Sequence, residues 1–261
     1  MEVLIFILVL ISALICEWID SSLGMGYGTI LSPLLIVFGF SPLLVVPSIL
    51  ITQALGGLSA SIFHHKNGNA NFSIKEKISD DLKTVLIITS LGVFAVIFGA
   101  FIASSISKSL LGTYIAVLVM IIGFLILTNF RFCYSNGKMV VVGIVSAFNK
   151  GLSGGGYGPL VTGGQIVLGK NHKNAVACTT AAEPLICLAG FITYLLINGI
   201  SDYSLLVSLG IGAIIAGPIG AMTTKNLNKE RLKKIIGAIM IFLGLLAILK
   251  ILGVLSLNIS M

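Results

Sequence analysis

A glycine-rich loop occurs twice in the chain, each time inside a long apolar stretch. Gly24-Met25-Gly26-Tyr27-Gly28 returns 130 positions later as Gly154-Gly155-Gly156-Tyr157-Gly158. The surrounding stretches, 3–38 and 139–168, are too long for one straight crossing, because about 30 residues of helix extend about 45 Å and the hydrocarbon layer is only ~30 Å thick. Glycine interrupts a helix at low cost. The sequence therefore predicts a duplicated membrane protein with a broken helical hairpin in each half.

The composition agrees with this prediction. The 261 residues are 57% hydrophobic and only 10% charged, with a mean hydropathy of +1.11, far from the averages of soluble domains. Further apolar runs long enough to cross a bilayer lie at 43–63, 84–104, 110–129, 174–197, 203–224 and 234–254. We predict an all-α polytopic protein of two repeats, 1–130 and 131–261, each with a hairpin followed by three spanning helices.

The basic residues predict the membrane topology. If each hairpin returns to the side from which it enters, most cations share one face and only Lys108 and Lys250 lie on the other, with Lys150 inside the membrane. The shared face would carry Lys66, Lys75, Lys77, Lys83, Arg131, Lys138, Lys170, Lys173, Lys225, Lys229, Arg231, Lys233 and Lys234. The positive-inside rule favours this arrangement and places both termini outside the cytoplasm. It does not separate a re-entrant hairpin from one of two full crossings.

An odd number of net crossings in each half would insert the second half upside down. The correspondence at an offset of 130 pairs Asp20 with Lys150 and Gln53 with Glu183. Inverted repeats with broken helices are typical of secondary transporters, which bind substrate at the midplane.

Other functional classes find little support. The basic residues lie in short loops without interleaved aromatics, so we expect no nucleic-acid partner. Four scattered cysteines, Cys16, Cys133, Cys178 and Cys187, have neither metal-site nor disulfide spacing, and we expect no metal and no cofactor. Residues 3–15 lack the basic flank and cleavage site of a secretory signal, so we expect them to remain in the mature protein.

The candidate site lies at the two breaks. A half-helix that begins after a break presents unpaired N–H groups and a positive dipole end, which favour an anion. Lys150 adds a cation deep in an apolar segment, where insertion costs roughly 2.5–3.5 kcal/mol. It would either bind substrate or form a structural ion pair with Asp20, Glu17 or Glu183. Glu183 and Asp20 are candidate groups for proton or sodium coupling, and the alternative for Glu183 is a satisfied structural acid.

Hydroxyl groups near the breaks are candidate ligands for oxyanion oxygens, although for each taken alone helix packing is the better explanation. The candidate substrate-binding residues are Ser22, Gly24, Gly26, Tyr27, Gly28, Lys150, Ser153, Gly154, Gly155, Gly156, Tyr157, Gly158, Thr179 and Thr180.

The chain resembles the TauE/SafE sulfite exporter family in three features. These are the two glycine breaks, the two similar halves, and the segment after the second break, Ala175-Val176-Ala177-Cys178-Thr179-Thr180. The resemblance covers about residues 3–254 and is strongest at 146–183. It implies a multi-pass plasma-membrane permease, not an enzyme, which exports sulfite, organosulfonates or related anions and is coupled to an ion gradient. The partners it implies are a small anionic substrate, the lipid bilayer and a coupling ion. The oligomeric state stays open, and a homodimer is compatible with the sequence.

Two alternatives come from local motifs. Gly151-Leu152-Ser153-Gly154 matches the serine motif of rhomboid-type intramembrane proteases, which need a histidine on a later helix. The histidines His64, His65 and His172 are all expected in loops. Gly-Tyr-Gly also occurs in potassium-channel filters, but here Met25 and Gly155 precede it instead of a Thr-Val pair. An ion channel and a serine protease are therefore weaker hypotheses than a transporter.

Overall fold

A computed structural model describes residues 3–74, 78–128, 136–199 and 202–255, apart from the side chains of 136–138. Within these ranges the chain forms ten α-helices and no strand. The first five are α1 (Val3–Leu23), α2 (Tyr27–Phe38), α3 (Pro42–Lys66), α4 (Asp80–Ser105) and α5 (Lys108–Leu127). The second five are α6 (Asn136–Ser153), α7 (Tyr157–Val167), α8 (His172–Asn198), α9 (Tyr203–Thr223) and α10 (Lys229–Ile251). Seven of the described helices are long and apolar enough to cross a membrane: α1, α3, α4, α5, α8, α9 and α10. The prediction of an all-α polytopic membrane protein is confirmed.

Both glycine loops interrupt a helix. Gly24 and Gly26 have φ values of 74° and 141°, and Gly154 and Gly156 have 72° and 83°, a region that side chains with a Cβ seldom adopt. The helices after the breaks have 12 and 11 residues. They extend only about 18 Å and 17 Å at 1.5 Å per residue, so neither crosses the bilayer alone. Helix α1, with 21 residues, is long enough to cross by itself.

Some helices extend beyond the apolar windows read from the sequence. Helix α4 begins at Asp80 because the Ser79 side chain accepts a hydrogen bond from Leu82 N, and α10 begins at Lys229 because Asn228 accepts one from Arg231 N. Such caps satisfy amides that have no partner within the helix. Hydropathy alone does not register these polar first turns.

Corresponding helices of the two halves pack in opposite directions. In α3 and α8, Leu50 lies against Gly190, whereas Gly57, two turns later in α3, lies against Pro184. The same reversal relates α5 and α10, where the contacts are Gly112 with Ile251 and Gly123 with Gly237.

The first arm of each broken segment packs parallel to a helix of the other half. Along α1 and α9, Leu10 lies against Gly212 and Ser21 against Gly220. Along α4 and α6, the close contacts are Gly92 with Ala147 and Gly99 with Gly151. Small residues allow these close backbone approaches, as is usual for helices packed in a bilayer.

One end of the bundle, which we name the vestibule face, is defined by Ser41, Lys108 and Asn198. These residues line a single cavity of about 330 Å³ together with Ser48 and Phe191. At the same end, Lys250 Nζ donates to Val37 O at the end of α2 over 2.9 Å. Helix α9 starts at the vestibule face, and α1 runs parallel to α9, so α1 also starts at this face. The contact of Lys250 with Val37 places the end of α2 at the same face.

The opposite end, which we name the lysine face, holds most of the described basic residues. Lys170 Nζ lies 3.5 Å from Asp81 Oδ1, and Lys225 Nζ donates to Asn67 O over 2.9 Å. Helix α6 runs parallel to α4, which starts at this face, and α7 leads back to Lys170. Each broken segment thus returns to the face at which it begins. Lys75, Lys77, Arg131 and Cys133 lie outside the described residues, as does the side chain of Lys138.

Candidate functional site

The two glycine breaks lie in direct backbone contact. A Cβ added to Gly28 would lie 1.8 Å from Gly154 O, and one added to Gly158 would lie 2.3 Å from Gly24 O. The contact is therefore reciprocal, with each half supplying one glycine and one carbonyl. It requires the absence of a side chain at both positions, because the atoms opposite are backbone and cannot rotate away.

Two hydroxyl groups cross-link the breaks. Ser32 Oγ on α2 donates to Ser153 O over 2.6 Å, and Thr162 Oγ1 on α7 donates to Gly24 O over 3.2 Å. These carbonyls lie at helix ends, where the helix itself offers no donor. The junction of the two halves is thus hydrogen-bonded as well as closely packed.

Beside the junction lies a group of four buried polar side chains, which we name the central polar cluster: Asp20, Gln53, Lys150 and Glu183. Each is at most 4% exposed. Lys150 Nζ donates to Gln53 Oε1 and lies 3.3 Å from Glu183 Oε1. Gln53 Nε2 donates to Asp20 Oδ2 over 3.1 Å and to Glu183 Oε2 over 3.0 Å. The cluster joins α1, α3, α6 and α8, two helices from each half.

The members of the central polar cluster occupy corresponding positions. Lys150 stands 130 residues after Asp20, and Glu183 stands 130 residues after Gln53. An acid in the first half is therefore replaced by a base in the second, and an amide by an acid. The cluster is symmetric in position and asymmetric in charge.

This asymmetry changes the start of the helix after each break. In the first half, Tyr27 N donates to Asp20 Oδ1 over 3.2 Å, so a carboxylate of the chain itself lies at the N-terminus of α2. At the second break the side-chain bond is made to a loop amide instead, since Ser153 Oγ accepts from Gly155 N over 3.1 Å, and Lys150 takes the sequence position of the acid. Helix N-termini favour negative charge, so the second break is better suited to an external anion than the first.

The two loop tyrosines differ in the same way. Tyr27 and Tyr157 are both fully buried. The Tyr27 hydroxyl lies 2.8 Å from Thr52 Oγ1, whereas the Tyr157 hydroxyl has no hydrogen-bond partner. Ala182 stands where the offset would place the equivalent of Thr52. An orphaned buried hydroxyl is unusual and is free to bind a ligand.

The remaining predicted hydroxyl ligands divide into two groups. Ser22 Oγ donates to Ile19 O within α1, whereas Ser153 Oγ, which donates to Asn149 O, also accepts a hydrogen bond from Gly155 N in the second break over 3.1 Å. Thr179 Oγ1 accepts a hydrogen bond from Gln165 Nε2 over 2.9 Å and lies 2.9 Å from Thr162 Oγ1, which ties α8 to α7. Thr180 Oγ1 is buried without a partner.

The sequence-based interpretation gave no site role to two residues that the structure places here. Gln53 bonds the other three members of the central polar cluster, although the sequence marks it only as the counterpart of Glu183. Glu17 lies fully buried one turn before Asp20, and the sequence suggests it only as a partner for Lys150. The signal for Gln53 was its position opposite Glu183 in the alignment of the halves.

The expected positions of the histidines were wrong. His64 lies in the last turn of α3 and is fully buried, with Nε2 2.9 Å from Ser21 O. His65 is in the same turn, and His172 is the first residue of α8. In both helices the polar end residues continue the helix beyond the apolar stretch that the sequence shows. No histidine is among the described hydrogen-bond partners of Ser153, so this geometry gives no support to a serine protease.

A chain of contacts along α3 connects the wall of the cavity at the vestibule face with the site. Ser48 lies in its wall, and Thr52, one turn deeper in α3, donates to Ser48 O over 2.7 Å. Thr52 in turn contacts Tyr27, whose backbone amide bonds Asp20. Lys108 at the cavity wall would attract anions.

Comparison with known proteins agrees with this architecture. The family model described as Sulfite exporter TauE/SafE matches residues 8–247. The chain is 25% identical over 247 residues to a Bacillus subtilis (strain 168) protein named "Probable membrane transporter protein YtnM", covering 88% of this chain and 78% of the relative. No solved structure gives a significant match. With its two broken helices, its apolar spans and a match over nearly its whole length, the chain belongs to the TauE/SafE family of membrane transporters.

Proposed function

We propose that this protein is a secondary active transporter that exports a small oxyanion, such as sulfite or an organosulfonate, across the plasma membrane. The observation that carries the proposal is Lys150, a buried cation in the last turn of the helix that leads into the second break, where two broken helices meet. A buried ammonium in a membrane interior is costly and usually marks a pathway. The family match supports a sulfite-like oxyanion as the substrate class.

The anion binds at the junction, near 24–28 and 154–158. Lys150 and the first amides of α7 supply positive charge, and the unpartnered hydroxyls of Tyr157 and Thr180 supply further donors. An anion that reaches Lys150 competes with Glu183 for the ammonium. Binding and the ionic state of Glu183 are therefore linked.

Transport proceeds by movement of one half, 1–130, against the other, 131–261, as inverted repeats around the site. Three features support this arrangement: the antiparallel packing of α3 with α8, the antiparallel packing of α5 with α10, and the reciprocal glycine contacts. The cavity at the vestibule face is the access route in this conformation.

Coupling to a proton or sodium gradient passes through Glu183, with Asp20 as a second group. Because Glu183 and the anion share Lys150, a cation that binds Glu183 changes the affinity of Lys150 for the anion. A Glu183→Gln variant should transport without dependence on the ion gradient. Unchanged gradient dependence in that variant would remove this part of the proposal.

The lysine face is proposed to be cytoplasmic, with both termini on the other side of the plasma membrane. The positive-inside rule supports this orientation, since Lys170, Lys173 and Lys225 lie at that face. Protease accessibility of tags at either terminus in right-side-out vesicles would test it.

The proposal is tested by thermal shift of the purified protein against sulfite, sulfonates, sulfate, carboxylates and phosphate. We expect stabilisation by sulfite or a sulfonate and loss of that stabilisation in Lys150→Ala. Lys83→Ala is the matched control, because Lys83 is exposed and pairs with Asp80 over 2.9 Å within α4. Equal stabilisation of Lys150→Ala and the control would leave Lys150 as a structural ion.

A further inference from the structure

Glu17 is a buried acid to which the proposed anion cycle gives no role. Glu17 lies in α1 and is fully buried. Oε1 accepts a hydrogen bond from Ser21 Oγ over 2.7 Å, whereas Oε2 has no hydrogen-bond partner. The carboxyl packs against α3 and α9, since a Cβ added to Gly56 would lie 2.9 Å from Glu17 Cδ and 3.0 Å from Ala213 Cβ.

The groups around Glu17 leave a surplus of negative charge. The titratable and charged groups that face it from its own and neighbouring helices are Cys16, Asp20, Tyr27, Lys150, Glu183 and Cys187. His64 joins them from α3 through Ser21 O. The ammonium of Lys150 is already shared between Glu183 and Gln53. If all three acids were ionised, the interior would hold three negative charges against one positive charge.

The three acids differ in how many ion pairs and hydrogen bonds would stabilise a negative charge on them. Glu183 has the Lys150 ion pair and an amide donor, and Asp20 accepts bonds from Tyr27 N and Gln53 Nε2. Glu17 has one hydroxyl donor on one oxygen. An ionised carboxylate in an apolar interior is stable only when it is paired and hydrogen-bonded, and otherwise the group neutralises. Glu17 is therefore the acid that takes up a proton first.

A metal cation would not provide the same neutralisation. Hard cations take several oxygen ligands, and the structure places only Ser21 Oγ against the Glu17 carboxyl among its hydrogen-bond partners. Close packing against Gly56 and Ala213 leaves little room for a hydration shell. A proton needs neither ligands nor space.

We infer that Glu17 carries a proton in this conformation and is the resting place of the coupling proton of the transport cycle. The step is simple: a proton from water adds to one carboxylate oxygen, converting the anion to the neutral acid, and no other bond changes. The coupling role rests on the proposed transport function, whereas the protonated state of Glu17 does not.

The protonated state is tested by infrared difference spectroscopy of the purified protein across a pH titration. We expect the carbonyl band of a protonated carboxyl at neutral pH in the wild type and in Glu230→Gln, an exposed acid of α10 that serves as matched control. The band should be absent in Glu17→Gln and shifted in Glu17→Asp. A band that is unchanged in Glu17→Gln would overturn the inference.

The coupling role is tested by sulfite flux in proteoliposomes. When one proton crosses for each anion and the membrane potential is held at zero, a gradient of one pH unit drives about tenfold accumulation. Glu17→Gln, which mimics the neutral acid, should lose this accumulation and still carry sulfite down its own gradient, and Glu17→Asp should restore coupling. Accumulation by Glu17→Gln at the wild-type level would overturn the coupling role. If wild-type vesicles carry no sulfite, the proposed substrate fails, and the infrared result still decides the state of Glu17.

Discussion

Substituting Gly28 by alanine should disrupt the junction of the two breaks. The new Cβ would lie 1.8 Å from Gly154 O and 2.6 Å from Gly154 C, whereas carbon–oxygen contacts are normally about 3.3 Å or longer. The two backbones would have to separate by about 1.5 Å, and neither can rotate away. Overpacking typically costs 1–3 kcal/mol, so we expect the upper part of that range, about 2–3 kcal/mol, and a loss of transport.

Gly163→Ala is the matched control, since Gly163 lies in α7 and an added Cβ meets nothing within 4 Å. Replacing an unhindered helical glycine by alanine should stabilise the protein by about 0.5–1 kcal/mol. Thermal unfolding in detergent should therefore separate the two variants by several degrees, at roughly 2–4 °C per kcal/mol. Equal melting temperatures and equal flux in the two variants would refute the direct contact between the breaks.

Three further substitutions test the cluster and the tyrosines. Thr52→Ala leaves the buried Tyr27 hydroxyl without a partner and should cost about 1–3 kcal/mol in the free energy of unfolding; an unchanged melting temperature would contradict the hydrogen bond. Ala182→Thr should give the Tyr157 hydroxyl a partner and stabilise the protein by about 0.5–1.5 kcal/mol, and destabilisation would show that the two halves are not equivalent there. Glu183→Gln leaves the Lys150 ammonium unpaired and should cost about 3–5 kcal/mol, partly recovered by sulfite in a thermal-shift assay; wild-type stability without sulfite would show that the ion pair contributes little.

The sequence was sufficient to locate the breaks because glycine clusters and apolar length are local properties. Both loops lie between helices as expected. The offset of 130 also pairs Gln53 with Glu183 from the sequence alone. Gln53 and Glu183 are hydrogen-bonded to each other because α3 packs against α8.

The pairing of Lys150 could not be predicted from the sequence. Three acids, Glu17, Asp20 and Glu183, were available within the apolar segments, and the choice depends on which helices pack together. Helix α6 approaches α3 and α8, so Lys150 reaches Gln53 and Glu183. Asp20 instead bonds the helix that follows its own break.

The positions of the histidines and the surroundings of the Glu17 carboxyl could not be predicted from the sequence either. Hydropathy windows end where polar residues begin, so His64 was expected in a loop although it is buried in the last turn of α3. The unpartnered oxygen of Glu17 depends on the packing of three helices. Neither property has a local signature in the sequence.

The most direct test of the account is the flux of radiolabelled sulfite into proteoliposomes that contain the purified protein. We predict saturable flux in the wild type and in Lys83→Ala, and none in Lys150→Ala, because the buried ammonium at the junction holds the anion during transport. Saturable flux of the same rate in Lys150→Ala would contradict the central claim.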